Sequence, residues 1–334
     1  MLSHDKRNVT SPNLFVGPMS KEIVETVCEL SNQGILVGLI PSRRQVTYDG
    51  GYVNNWNTDE FVKFVRSKTK ATLIVRDHGG PLQGKTPDDG LCEYASDLRS
   101  GFNVIHIDPW KSVTSFDEGI EKTLEQILFC LNIDKNVVFE VGTEEAIFSY
   151  DHQQLRKLLW HLKKNLGDSF KNVMYAVVQS GVRIMGTRNI GIFSKDRLEK
   201  MMDVVNDFGL RGKEHNGDYL NDCQIKTRVE SGLQCLNVAP ELGVIQTRII
   251  MKNDKFDFDA AAEICFREKK YEKWLPSDFS NLALSEKQRL IVELSGHYHF
   301  TERPFAKVIE ASKEEIKSAL RNRIVGITNC WEQV

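Results

Sequence analysis

Asp77 and His78 stand side by side at the end of an apolar run, Leu73-Ile-Val-Arg-Asp-His-Gly-Gly-Pro81. An imidazole beside a carboxylate can hold a divalent cation and move a proton, the two tasks of metal-assisted carbonyl chemistry. The dipeptide alone is a weak motif and more often marks a hydrogen-bonded turn than a catalytic pair. Its weight comes from a second segment of the same kind, Glu214-His215-Asn216-Gly217-Asp218. His78, His215 and a carboxylate, Glu140 first and Glu144 second, form the expected metal set, with zinc the expected ion. Such an ion is expected to polarise a ketone, and Asp77 to act as acid/base on a substrate hydroxyl. Glu144 and Asn237 join Asp77 as candidate catalytic groups. A phosphate needs backbone N–H groups and cations, which Gly79, Gly80, the Gly50-Gly51 turn, Arg43, Arg44 and Arg183 are expected to supply.

These residues need elements that bring them together. Short apolar runs alternate with helix-period stretches along the chain. Strands are expected near 13–16, 35–40, 72–75, 103–107, 136–141, 173–178, 210–214 and 233–238. Helices are expected near 21–31, 58–67, 88–99, 115–131, 152–165, 194–208, 220–231 and 241–251, with Ser20, Thr58, Ser115, Asp151 and Ser194 as caps. Eight strand–helix units in about 250 residues is the rhythm of a (β/α)8 barrel, with 1–253 as the barrel and 254–334 as a helical extension anchored by Trp274, Tyr298, Phe300 and Phe305. An open doubly wound sheet is the alternative, but no glycine-rich nucleotide fingerprint follows an early strand, which also disfavours a nucleotide-dependent oxidoreductase.

In a barrel the chemistry sits at the C-terminal strand ends. There the chain places Gln45, Asp77-His78, His106-Ile-Asp108 with Lys111, Glu140 and Glu144, Gln179 and Arg183, His215 to Asp218, and Asn237. Asp218 and Asn237 read equally well as helix caps, and His106 as a hydrogen-bonded core histidine.

Composition excludes several classes. A net charge of −2 offers no general attraction to nucleic acid or to an anionic membrane. No run of about eighteen apolar residues reads as a membrane span. Seven scattered cysteines without a C-x-x-C pair fit reduced thiols and a cytoplasmic location.

The order of motifs resembles one family. Gln45-Val-Thr-Tyr-Asp-Gly-Gly-Tyr52, Asp77-His-Gly-Gly-Pro81, Ile105-His-Ile-Asp108, Val141-Gly-Thr-Glu144, Val177-Val-Gln-Ser-Gly-Val182, Glu214-His-Asn-Gly-Asp-Tyr-Leu220 and Leu236-Asn-Val-Ala-Pro240 are similar, in order, to the Z-subunit family of class II tagatose-bisphosphate aldolases. The resemblance implies a TIM barrel, Asp77 as acid/base, and His78 and His215 as metal ligands. It implies a sugar-phosphate aldolase or a ketose-phosphate 4-epimerase working at the C3–C4 bond. The alternative it leaves open is a non-catalytic subunit stabilising a separate aldolase chain. A homo-oligomer or an aldolase partner is expected in either case. No third histidine stands on strand six, where Gln179 is found, so Glu140 or Gln179 is expected to complete the ligand set. Gln45, Gln179, Asn216 and Asp218 are expected on the substrate. Arg44, Arg76, Lys111 and Arg183 depart from the family pattern toward positive charge and imply a more anionic substrate.

Overall fold

Residues on a strand alternate between its two faces, and in a closed barrel one face looks at the axis while the other looks at the helices. The computed structural model describes residues 11–143 and 150–333. Its strands are β1 (Leu14–Val16), β2 (Val37–Leu39), β3 (Val75–Arg76), β4 (Val104–Ile107), β5 (Val138–Val141), β6 (Val173–Val178), β7 (Ile184–Met185), β8 (Arg188–Asn189), β9 (Arg211–Glu214) and β10 (Cys235–Val238). Eight of them form one parallel sheet in the order β2-β1-β10-β9-β6-β5-β4-β3. Isolated parallel pairings, Leu39 with Ile74 and Ser42 with Asp77, join its two edge strands. The result is the expected α/β TIM barrel. The short hairpin β7–β8, between β6 and the next helix, was not foreseen.

Helices α1 (Lys21–Asn32), α2 (Thr58–Lys68), α3 (Leu91–Ser100), α4 (Phe116–Ile133), α5 (His152–Leu166), α6 (Lys195–Asp207), α7 (Asp222–Glu230) and α8 (Pro240–Ile250) alternate with the strands. Ser20, Ser115, Asp151 and Ser194 cap them as expected. Thr58 does not: Asn57 caps α2 in a reciprocal box with Glu60, and the Thr58 hydroxyl turns inward to donate to Glu93. Beyond the barrel come α9 (Phe258–Glu268), α10 (Leu284–Ser295), α11 (Arg303–Ile309) and α12 (Lys313–Glu332). The last packs against α1, α7 and α8, and Phe305, Ile316 and Leu320 belong to the same apolar cluster as the barrel helices.

Inside the barrel, Phe15, Ile40, Val75, Val104, Val138, Tyr175 and Cys235 fill an apolar layer. Two residues further along the strands the same inward face carries Asp77, His106, Glu140 and Asn237, and His215 follows Lys213 in the same way. This parity corrects the expectation for Arg76. It sits between the inward Val75 and Asp77, so it faces the helix layer and is fully buried there. Its guanidinium bonds Asp97 and Glu93, donates to the carbonyls of Pro41 and Val46, and lies 4.9 Å from the Phe102 ring centroid. It adds no charge to the rim.

Arg43, expected on phosphate, is also withdrawn. It is buried, ion-paired to Asp88 and Glu93, and donates to the Gly80 carbonyl at 2.8 Å. The two arginines thus tie the β2 and β3 strand ends to α3. Removing one member of a buried ion network leaves its partners charged and unpaired, which costs about 3–5 kcal/mol. Arg76→Ala is therefore expected to lose about that much stability in urea unfolding. A loss below about 1 kcal/mol would show that Glu93 and Asp97 do not depend on it.

Candidate active site

Adjacent residues of an extended strand point to opposite faces, so Asp77 and His78 can share a site only if the chain turns between them. It does, because His78 adopts a left-handed backbone with φ 45°. That conformation costs a residue with a side chain about 1–2 kcal/mol. Gly79 and Gly80 then let the turn press against the end of β4. A side chain at Gly80 would strike the Asp108 carbonyl, and one at Gly79 the Tyr94 ring. These glycines are contact points rather than the expected phosphate donors. The Gly79 N–H is already given to the His106 carbonyl, and the Gly50 and Gly51 N–H groups go to Thr47 and Trp56.

Three imidazoles meet at the mouth of the barrel. The ring centroids of His78, His106 and His215 lie 5.2 to 5.4 Å apart. His78 Nδ1 is 2.7 Å from Asp108 Oδ2, and its Nε2 is 3.9 Å from Asp77 Oδ1. His215 Nε2 is 2.7 Å from Glu140 Oε1, and its Nδ1 is 3.8 Å from the same Asp77 oxygen. A carboxylate on one ring nitrogen places the proton there and turns the lone pair of the other toward Asp77.

Glu140 lies below the histidines. Burial alone would raise its carboxyl, but the Lys213 ammonium and the hydrogen bond from His215 hold it well below the usual carboxylate range. Lys213 reaches it from inside the barrel, Nζ to Oε2 at 2.6 Å, with its ammonium 3.9 Å from the Phe15 ring centroid. Both Glu140 oxygens are therefore engaged. Burial lowers His106 despite the pull of Glu140, so its imidazole stays neutral, and its Nδ1 accepts the His78 N–H at 3.3 Å.

Among the described residues two groups of side chains have ligand atoms close enough to converge on one ion: Asp77, His78 and His215, and His106, Glu140 and His215. The first fits a divalent metal better, because each of its imidazoles is oriented by a carboxylate on the far nitrogen. Of the expected set, His78 and His215 are brought together. Glu140 stands behind His215 rather than beside His78, and His106 occupies the ground where a third ligand was sought.

The other expected residues fall unevenly. The buried Asn237 is on the inward face, and among the described residues its side-chain oxygen has no hydrogen-bond partner. Gln179 turns to the outer helix instead, its side-chain oxygen 3.4 Å from Arg197, and does not complete the histidine group. Gln45 is buried in its own loop, accepting from the Ser42 N–H and reaching Met19. Asp218 takes the capping role. Its Oδ1 accepts from the N–H groups of Ala239 and Glu241 at the start of α8, so it is withdrawn from the substrate list. Asn216 is exposed at φ 59°, with its carbonyl bonded by Asn189. Arg44 and Arg183 are exposed on rim loops, and the Lys111 ammonium donates to Gln83. Glu144 lies outside the described residues.

His106 and Asp108 stand at the rim as expected, though no role was assigned to them, while Gln83 and Lys213 are site residues that the sequence reading lacks. Gln83 donates to Asp108 Oδ2 at 2.6 Å and so steadies the acid that orients His78. Period-two counting back from His215 would have singled out Lys213.

The chain is similar in structure to several solved proteins. One, from Sinorhizobium meliloti 1021 and described as a probable tagatose 6 phosphate kinase, aligns with a TM-score of 0.72 at 15% identity over 96% of this chain and 100% of that one. The fructuronate-tagaturonate epimerase UxaE from Cohnella laeviribosi aligns at 0.67 with 10% identity, over 96% of this chain and 81% of that one. The YdjI aldolase from Escherichia coli K12 aligns at 0.58 with 14% identity, over 98% of this chain and 94% of that one. Identities this low bear on the fold alone. No protein-family model matches the chain, and no curated protein matches it in sequence. Among the described residues no helix is long and apolar enough to cross a membrane.

Burial and then the nearby Glu241 raise the Asp218 carboxyl from 3.8 to about 7. The folded chain holds this proton more tightly than the unfolded one. The group's stabilisation is therefore complete below pH 3.8 and is lost as the pH rises through about 7. Asp218→Asn keeps an acceptor for α8 but removes the titration. Calorimetry at about pH 5 and about pH 8 is expected to show the variant gaining on the wild type at the higher pH. An equal offset at both would show that Asp218 does not titrate in this range.

Proposed function

We propose that this chain is a divalent-metal enzyme of the class II aldolase kind, acting on a phosphorylated ketose by breaking and remaking a C3–C4 bond. One observation carries the reading: a single Asp77 oxygen lies 3.9 and 3.8 Å from nitrogens of two imidazoles that are each held by a second carboxylate. The order of sequence motifs supports it, as does a fold shared with an aldolase and a sugar-acid epimerase. Both net aldol cleavage and 4-epimerisation begin with that same bond.

His78 and His215 are the residues that would hold the metal, and two imidazoles with a carboxylate nearby suit zinc. Bound there, the metal would supply Lewis-acid polarisation of a ketone carbonyl. Asp77 takes the proton of the C4 hydroxyl as the bond opens and returns it when the bond re-forms. Asp108 and Glu140 keep the two rings from rotating, and the lone Asn237 oxygen is available to a substrate hydroxyl. Return of the aldehyde by its other face gives epimerisation, while delivery of a proton to C3 and escape of both fragments gives cleavage. A subunit that only stabilised another chain would have no need to bury two imidazoles and an ion pair, which cost desolvation.

Turnover of fructose or tagatose phosphates is expected, lost with a chelator and restored by zinc. No turnover of any ketose phosphate, with or without added metal, would overturn the reading. Asp77→Asn is expected to lower kcat by about 10²–10⁴-fold while elemental analysis finds the metal content unchanged. Loss of the metal in that variant would make Asp77 a ligand instead of the acid/base.

A further inference from the structure

The mouth of the barrel has a second feature that the histidine cluster does not use. Where α9 ends, Lys269 adopts a left-handed backbone with φ 53°, and the chain turns back across the β2–α2 and β3–α3 loops. The buried Tyr271 pins this turn. A cavity of about 490 Å³ opens between the turn and the loops. Its wall carries Arg44, Lys85, Lys269, Lys270 and Lys273, five cations, against the single carboxylate of Glu272. Tyr298 forms the floor: the Lys270 and Lys273 ammonium groups lie 5.5 and 5.8 Å from its ring centroid, and the Tyr52 ring stacks edge-on at 4.8 Å.

Cations that converge without counter-charge repel one another, and the arrangement is stabilised when an anion enters. Lys270 is 3.6 Å from a Glu268 oxygen, but among the described residues Arg44, Lys269 and Lys273 have no ion pair, so the protein neutralises the charge of the cavity only in part. Its field reaches the interior. The buried His297, next to Tyr298, is held well below its ordinary range by burial first and then by Lys273 and Lys270.

The cavity shares two loops with the candidate active site. Gly84 and Lys85 directly follow Gln83, which bonds the Asp108 carboxylate that orients His78. Arg44 sits between Arg43, which grips the Gly80 carbonyl, and Gln45. The Lys85 ammonium donates to the Gly50 carbonyl and so joins the two loops.

We propose that this cavity, built jointly by the barrel loops and the C-terminal extension, binds a phosphate monoester dianion: a phosphate group of the sugar-phosphate substrate. The proposal rests on the reading of the substrate as a sugar phosphate, and it gives the extension a role in recognition. The lysine ammonium groups can meet a compact dianion as point charges from several directions, and the Arg44 guanidinium can add a two-pronged hydrogen bond.

The test uses the full chain and inorganic phosphate as the probe. Titration calorimetry at low ionic strength is expected to show phosphate binding that weakens about tenfold or more in Lys270→Gln/Lys273→Gln. Lys85→Gln, on a different loop, is expected to weaken it too. All three side chains are exposed or half-buried, so the melting temperature is expected to hold. Binding equal to the wild type in both variants would overturn the proposal. Inhibition kinetics then separate the two sources of such a group. Phosphate competing with the ketose phosphate supports the substrate assignment, and non-competitive inhibition or activation overturns it in favour of a separate phosphorylated ligand. Phosphate binding needs no turnover, so its failure leaves the aldol reading standing, and failure of the aldol reading leaves the binding result interpretable.

Discussion

The buried pair of Lys213 and Glu140 is the contact on which the rest of the site depends. It lies on the barrel axis between the apolar layer and the histidines, and neither charge could be there alone, because an unpaired ion in such a place costs several kcal/mol. With Lys213 beneath it, Glu140 stays ionised and turns its other oxygen to His215. That bond sets which ring nitrogen carries the proton, and so which one faces Asp77. One ion pair thus converts a strand end into a directed imidazole. His106, the register partner of Glu140 on the next strand, is pressed into a neutral form by the same burial.

A second ionic network holds the opposite side. The side chains of Arg76 and Arg43 lie on the helix side of the barrel, yet they decide where Asp77 and His78 stand, because they bind the strand β3 end and the Gly80 turn to α3. The strained backbone at His78 is affordable only against such a rigid frame. Charges that look like substrate ligands in the sequence are here the fasteners of the loop that carries the chemistry. The positive charge that faces solvent is displaced outward, to the cavity shared with the C-terminal extension.

The strands, the helices and most caps were legible because they rest on local patterns. Apolar runs bounded by turn residues and a side-chain oxygen ahead of a helical period are short-range signals. Thr58 misled because the residue before it is an equally good cap, and the choice between neighbours depends on Glu60 three positions on. Asp77, His78 and His215 were legible for a related reason: a barrel gathers its strand ends, so polar residues at those ends can be assigned to one place before any distance is known. Asp218 and Gln179 were not separable from them, since a strand-end side chain can turn to the axis, to the next helix N-terminus or to an outer helix, and only packing chooses.

By itself the sequence determined the alternation of strands and helices, the barrel that follows from it, and the pairing of an acid with two histidines at strand ends. Those are consequences of periodicity and residue type, which act over a few positions. Only the tertiary structure decided that His106 stands with them, that Lys213 charges the barrel axis, that Arg43 and Arg76 are buried supports, and that lysines from 269–273 meet Arg44 and Lys85. Each of these depends on which face of a strand looks inward and on contacts between residues far apart in the chain. A one-residue shift of register would reverse the placement of Arg76, His106 and Lys213.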